Sequence, residues 1–286
     1  MLVIKNKFKT ILKKLLRILK TAAQVFLVMA LGFAISLGVL ISVQENARFP
    51  SPAELDSMDN VSMHLDHKER MAVMMSRNSV LLVLSGRSDG DGFASMTGTY
   101  LSHNNKYYVL TAAHGVMGDC EHFFVAVNED EIYDCIKYID LNQRSDYAIV
   151  EIEKVTKRKP LEINKVIPKN NQWESELAVL NDVFYTGYPN SLGPLTFKGY
   201  IAGISDSQDV YLHSYAWPGS SGSGVFTREG NLVGVVLALN VGFTSAGYDV
   251  LEDLVIILPL FKINWDPVYQ NQDSADDTGY AGDTGE

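Results

Sequence analysis

Basic residues are scarce over most of this chain. The formal net charge is −10 over 286 residues, yet seven of the 24 basic residues (Lys5, Lys7, Lys9, Lys13, Lys14, Arg17 and Lys20) crowd into residues 1–20, which hold no acid. Residues 21–286 therefore carry −17. So acidic a body offers no basic face to a phosphate backbone, which excludes nucleic acid as a partner. Cysteine is scarcer still, and Cys120 and Cys135 allow one bridge at most. Such a bridge suits an exported domain, but it needs a close Cα–Cα approach that spacing alone does not establish. Metal-ligand sets are lacking as well. His64, Asp66 and His67 lie together but read as the solvated face of a helix. Asp89-Gly90-Asp91-Gly92 has no spaced oxygen ligands after it and reads as a turn. No metal and no cofactor is implied.

What the chain does have, early on, is a long run without charge. Ala22 to Val43 is 22 residues in which only Gln24, Ser36 and Ser42 are appreciably polar. As a helix it is long enough to cross a hydrocarbon core of about 30 Å. A cleavable signal peptide is the rival reading, but Gln44-Glu45-Asn46-Ala47-Arg48 lacks the small-x-small cleavage pattern. Before the run, Ile4, Phe8, Ile11, Leu12, Leu15, Leu16 and Leu19 recur at helical spacing among the bases. That is the pattern of an amphipathic helix on an anionic membrane surface, the alternative being a helix docked on another protein. With the bases ahead of the span, the N-terminus is expected in the cytosol and the remainder on the periplasmic, lumenal or extracellular side.

The expected organisation is a basic amphipathic arm over 1–20, a transmembrane helix over 21–43, a partly helical stem over 44–77, a folded domain over 78–265 and an acidic tail over 266–286. In the stem, Ser51-Pro52-Ala53-Glu54 carries a capping-box pattern, and a stripe running from Leu55 to Met75 predicts a helix somewhere within 52–76. Asn60-Val61-Ser62 is a glycosylation sequon, meaningful on a lumenal face of a eukaryotic host. At the other end, Asn271 to Glu286 has five acids and no base, a composition that cannot bury a core and predicts disorder.

From residue 78 the pattern changes to short strands between turn residues, the mark of an all-β sandwich or barrel. Candidate strands are 79–85, 92–101, 106–111, 122–127, 132–139 and 146–152, then 182–187, 195–204, 208–214, 222–227, 231–240 and 253–258. His103-Asn104-Asn105 and Asn128-Glu129-Asp130-Glu131 supply hairpin turns. Residues 153–181, with a basic patch from Lys154 to Lys159, connect the two sets.

Three segments carry chemistry. Pro218-Gly219-Ser220-Ser221-Gly222-Ser223-Gly224-Val225 alternates glycines with small hydroxyl residues. Glycines permit a sharp turn whose amides converge on one point, so a serine there can attack a carbonyl while the amides hold the oxyanion. Tyr108-Val109-Leu110-Thr111-Ala112-Ala113-His114-Gly115-Val116 is an apolar strand end running into a turn that carries a histidine. Arg144-Ser145-Asp146-Tyr147-Ala148-Ile149-Val150-Glu151-Ile152 puts an aspartate at the head of a strand. Each segment alone also reads as ordinary structure, but all three in this order point to one site.

In these segments, and in 187–205, the chain resembles the trypsin-like serine peptidases over roughly residues 78–260, within them the compact HtrA-like branch. The resemblance implies an all-β fold of two six-stranded antiparallel β-barrels, chymotrypsin-like, here preceded by the transmembrane helix. It implies His114 as general base, Asp146 as its orienting partner, Ser221 as nucleophile and the amides of Gly219 and Ser221 as the oxyanion hole. Ser223 is the competing nucleophile, and the motif favours Ser221. Ser220 replaces the acid that trypsin uses in zymogen activation, so activation of that kind is not expected. Tyr215 falls at the floor position of the substrate pocket, and Trp217, Val235 and Leu237 complete an apolar pocket for a small or hydrophobic residue. Val236 stands where many relatives place a serine that supports the triad aspartate. HtrA-like proteins often carry a PDZ domain after the peptidase, for which no room remains here. The implied partners are a protein or peptide substrate and, through residues 1–43, a lipid membrane. Two alternatives stand beside a membrane-anchored serine endopeptidase. One is an inactive peptidase fold used as a binding module. The other is the processing protease of an RNA virus polyprotein, whose motif has threonine at the position of Ala216.

Overall fold

The structure, a computed structural model, describes residues 20, 24, 26–27, 29–37, 65–90, 92–128, 130–244 and 247–271, with the backbone alone over 238–252. The chain divides into two compact units, Met1–Pro50 and Ser51–Glu286. In the first, the described residues of the long apolar run are helical, and Phe26, Leu27, Met29, Leu31, Phe33, Ile35 and Leu37 are all exposed. Among the described residues no helix is long and apolar enough to cross a membrane. The arm before Lys20 and the pattern at Ser51–Glu54 lie outside the described residues.

The first element among the described residues of the second unit is α1 (His67–Ser79). Its capping box is built on Asp66, whose side chain accepts from the Glu69 amide while the Glu69 carboxylate accepts from the Asp66 amide, both at 3.0 Å. Two donors orphaned at the helix start are thereby satisfied. The helix is tied down by charge and by hydroxyls. Arg228 pairs with Asp66, and Lys198 sits 3.0 Å from both Glu69 and Asp182. Ser76 donates to Thr186 at 2.8 Å.

Six strands follow: β1 (Val80–Gly86), β2 (Phe93–His103), β3 (Lys106–Thr111), β4 (Phe123–Asn128), β5 (Glu131–Asn142) and β6 (Tyr147–Ile152). Their order is β1-β4-β5-β6-β3-β2, and the pairing of β2 with β1 closes the barrel. A two-residue β7 (Leu161–Glu162) adds parallel to β2. The connection carries two single-turn helices, α2 (Ile163–Val166) and α3 (Trp173–Glu176). Then come β8 (Asp182–Gly187), β9 (Leu195–Ile204), β10 (Val210–His213), β11 (Gly224–Thr227), β12 (Leu232–Thr244) and β13 (Gly247–Pro259), closed in the order β10-β13-β12-β11-β8-β9. The two six-stranded barrels expected from the sequence are therefore present. Closure leaves no free sheet edge in either barrel, apart from short β7.

Three clusters of buried side chains hold this together. Leu81, Val83, Phe123 and Val150 fill the first barrel, and Val183, Tyr185, Val225 and Val255 fill the second. The third belongs to neither interior. Leu110 and Ile149 of the first barrel meet Phe184, Phe226 and Leu260 of the second, with Ala72 of α1 alongside. Full burial of a Leu, Ile or Phe side chain contributes about 1.5–3 kcal/mol, so the seam between barrels adds stability of the same kind as their cores.

One sequence expectation changes here. The described chain continues past residue 265 into α4 (Asp266–Gln270), which buries Val268. Asn271 then donates to Glu151 at 2.7 Å and to Tyr108 at 3.1 Å, while Lys137 donates to its side-chain oxygen at 2.7 Å. The acidic segment thus begins after a docked turn. The question left open by spacing is also answered, since Cys120 and Cys135 form a disulfide with a Cα–Cα distance of 5.4 Å. Cys120 lies in a 3₁₀ turn ahead of β4, and from there it reaches β5.

Candidate active site

The site lies where loops of the two barrels face each other. From the first barrel, β3 runs buried to Thr111, and the 3₁₀ turn Ala113–Gly115 then lifts His114 into the open. A Cβ at Gly115 would displace the end of the Met96 side chain. Asp146 comes from the turn before β6 and holds a left-handed backbone, φ 55°. Aspartate tolerates that region better than most residues. This turn aims the carboxylate back at the histidine, so that Oδ1 accepts from the His114 amide at 2.8 Å and Oδ2 lies 2.8 Å from Nδ1. Both oxygens of one carboxylate are committed to one residue. The imidazole is half exposed, and its hydrogen bond to Asp146 raises its pKa above the ordinary histidine value against an opposing effect of partial burial.

The second barrel supplies the serine. Gly219 and Gly222 flank the turn with φ 94° and 89°, a region that excludes most side chains. Gly222 is further restricted, since a Cβ would run into the Thr97 carbonyl. The loop is pinned on both sides. On β12, the Val236 amide donates to Ser223 O at 2.9 Å and the Val236 carbonyl accepts from the Gly222 amide at 2.7 Å. On β2, the Thr97 amide donates to Ser221 O at 2.9 Å and the Thr99 hydroxyl donates to Gly222 O at 3.0 Å. The Ser221 hydroxyl donates to Leu237 O at 2.8 Å. Leu237 is the extra residue of a bulge, without a register partner on β13 between the pairs Val236–Ile257 and Ala238–Ile256. Ser223 is fully buried and donates to Ser220 O at 2.6 Å, so it has no access to a substrate.

A cavity of about 420 Å³ joins these groups. His114, Asp146 and Ser221 stand on it together, and Ala216, Trp217, Pro218, Val236 and Leu237 form its apolar walls. Of the four pocket residues expected from the sequence, Trp217 and Leu237 line it. Tyr215 lies outside the lining, exposed and stacked on Trp217 with ring centroids 6.3 Å apart. Val235 is sealed in the core between the barrels. Among the described residues no group of three His, Cys, Asp or Glu side chains is placed to hold a metal ion. Sequence reasoning overlooked Thr97 and Thr99. Their signal was the hydroxyl-glycine-hydroxyl alternation Thr97-Gly98-Thr99 between apolar Met96 and Tyr100, because a buried hydroxyl must find a partner.

Such a double barrel, with histidine and aspartate on one half and a glycine-flanked serine on the other, has the architecture of a chymotrypsin-type hydrolase. Residues 96–235 match the family model of the trypsin-like peptidase domain. Among solved structures, the serine endoprotease from Yersinia pestis superposes with a TM-score of 0.53 at 18% identity, covering 73% of this chain and 70% of that one. At that identity the likeness is one of fold. The HtrA-type protease AlgW, solved with a tripeptide, gives 0.49 at 17% identity over 68% of this chain and 60% of its own, too slight a likeness to argue from. No curated protein matches in sequence.

Proposed function

We propose that the chain is a membrane-anchored endopeptidase that cleaves peptide bonds through His114, Asp146 and Ser221. The observation that carries this reading is the two-point grip of Asp146 on His114 at the rim of a cavity shared with Ser221. In the reaction, Ser221 Oγ bonds to the scissile carbonyl carbon as its proton passes to His114 Nε2. The carbonyl electrons move onto the oxygen, which the Gly219 and Ser221 amides receive. The tetrahedral centre collapses, the C–N bond breaks, and the leaving amine takes the proton from His114. Water repeats the sequence on the acyl-enzyme and restores Ser221. Asp146 keeps the proton of His114 on Nδ1, leaving Nε2 to act as base. The apolar cavity walls favour a small or hydrophobic residue before the cleaved bond. Anchoring rests on the uncharged run from Ala22 to Val43 and on the exposed apolar residues between Phe26 and Leu37. The Cys120–Cys135 disulfide supports a peptidase domain on the non-cytosolic side.

The test is labelling of the full chain with a fluorophosphonate, which phosphonylates only an activated serine. Wild type is expected to label at Ser221 and to hydrolyse an unfolded protein such as casein, Ser221→Ala to do neither, and Ser223→Ala to do both. Extraction tests the anchor, since a spanning helix resists carbonate and high salt whereas a surface-bound arm is released. A second reading, a binding module on the same fold, is favoured by one observation. Ser221 gives its hydrogen bond to Leu237 O and must rotate to meet His114. Failure of wild type to label would establish that reading instead.

A further inference from the structure

One side chain of the first barrel grips the oxyanion loop of the second. Thr97 is fully buried on β2, and all its polar groups are engaged. Its amide donates to Ser221 O at 2.9 Å, and its carbonyl accepts from the Thr111 hydroxyl at 2.7 Å. Its hydroxyl donates to Gly219 O at 2.7 Å and accepts from the Tyr188 amide at 2.9 Å. The backbone bonds would survive any substitution, but the two hydroxyl bonds depend on this side chain.

Those two bonds govern the orientation of Gly219. A glycine has no side chain to resist rotation of the peptides on either side of it. The following peptide is held directly, because the Gly219 carbonyl is the acceptor of the Thr97 hydroxyl. The preceding peptide contains the Gly219 N–H, the proposed oxyanion donor, and is held through its other end. Pro218 O accepts from the Asn190 amide at 2.6 Å. Asn190 and Ser191 both hold left-handed backbones, φ 51° and 57°, so the turn that presents this amide does not form by default. The turn is anchored at its start by the Tyr188 amide, on the same Thr97 hydroxyl.

We propose that Thr97 is a positioning residue for catalysis, whose hydroxyl fixes both peptides of Gly219 and so the direction of the oxyanion-hole N–H. The inference rests on the endopeptidase reading above. The oxyanion exists only in the transition state, so a misdirected donor lowers the rate of the bond-forming step and leaves ground-state binding alone. Removing an oxyanion donor outright costs roughly 100- to 1,000-fold, and misaligning one is expected to cost about 10- to 100-fold.

The experiment measures phosphorylation of the full chain by diisopropyl fluorophosphate, in which the Ser221 Oγ–P bond forms as fluoride leaves and the serine proton passes to His114. Saturation kinetics separate the inactivation rate from the affinity. Thr97→Val keeps the shape and removes both hydroxyl bonds. Its inactivation rate, per site titrated at completion, is expected to fall about 10- to 100-fold at unchanged affinity, and Thr97→Ser to recover to within a few-fold of wild type. Thr99→Val removes a comparably buried hydroxyl bond, to Gly222 O on the other side of Ser221, and is expected to cost less than Thr97→Val. Equal losses in Thr97→Val and Thr99→Val, a change in affinity alone, or a rate within twofold of wild type would each overturn the proposal. Should Thr97→Val not fold, Thr97→Cys, whose thiol is a weak donor and acceptor, carries the same comparison. A wild-type chain that does not label fails at the endopeptidase reading, whereas a labelled wild type with an equally fast Thr97→Val fails at the inference alone.

Discussion

The hydrogen bond between Asp146 and His114 sets opposite pH dependences for activity and for stability. Because the folded pKa of His114 is raised, the charged imidazole stabilises the fold fully below its unfolded value, ~6.5, and that contribution is lost as pH rises through the folded value. Catalysis needs the neutral base, so kcat/KM rises through the same ionisation, with its midpoint above ~6.5. Asp146→Asn is expected to cost on the order of 10,000-fold in kcat, because asparagine favours the wrong tautomer. Measured with chelator present, a midpoint below 6.5, or a variant within a few-fold of wild type, would remove His114 and Asp146 from these roles. At this scale the meeting of His114, Asp146 and Ser221 on one cavity was legible because each carries a local pattern. The pocket was legible only in half. Val235 and Leu237 share a face of β12, but the bulge at Leu237 brings that residue to the cavity rim while Val235 stays in the seam. Thr97 escaped notice because its partners, Tyr188, Gly219 and Ser221, lie far along the chain.

Among the elements, α1 is the one whose start is sharply determined. Asp66→Ala removes the cap and the partner of Arg228, and is expected to lower the melting temperature mainly through the lost cap, since exposed ion pairs contribute little. A chain beginning at residue 70 lacks the capping box and should melt below one beginning at residue 65, which thermal denaturation of the two would show. The helix expected within 52–76 is described from residue 67, and Ser79 ends it where β1 takes over. Most strands were legible to within a few residues, because barrel walls enforce an apolar inner face. The long β12–β13 ribbon was not. Its far part, Gly242-Phe243-Thr244 paired with Gly247-Tyr248-Asp249, falls outside the candidate strands, and only pairing with its partner strand makes it regular. Helices of four residues, such as α2 and α3, are too short to show a period.

For the molecule as a whole, the disulfide closes a short loop over the segment that follows His114. With a separation of 15 residues, its loss is worth roughly 3 kcal/mol in the chain-entropy account. Cys120→Ser with Cys135→Ser is expected to lower stability by about that much in denaturant titration while the barrels persist. An unchanged midpoint would mean that the unfolded chain gains nothing from the opened loop. The apolar seam between the barrels has a different consequence. The proposed base and nucleophile ride on separate barrels, so turnover depends on the sideways alignment of two shells, each with a core of its own. Pressure or mild denaturant should therefore silence the enzyme before circular dichroism changes, and a ligand bridging both shells should restore activity without adding secondary structure.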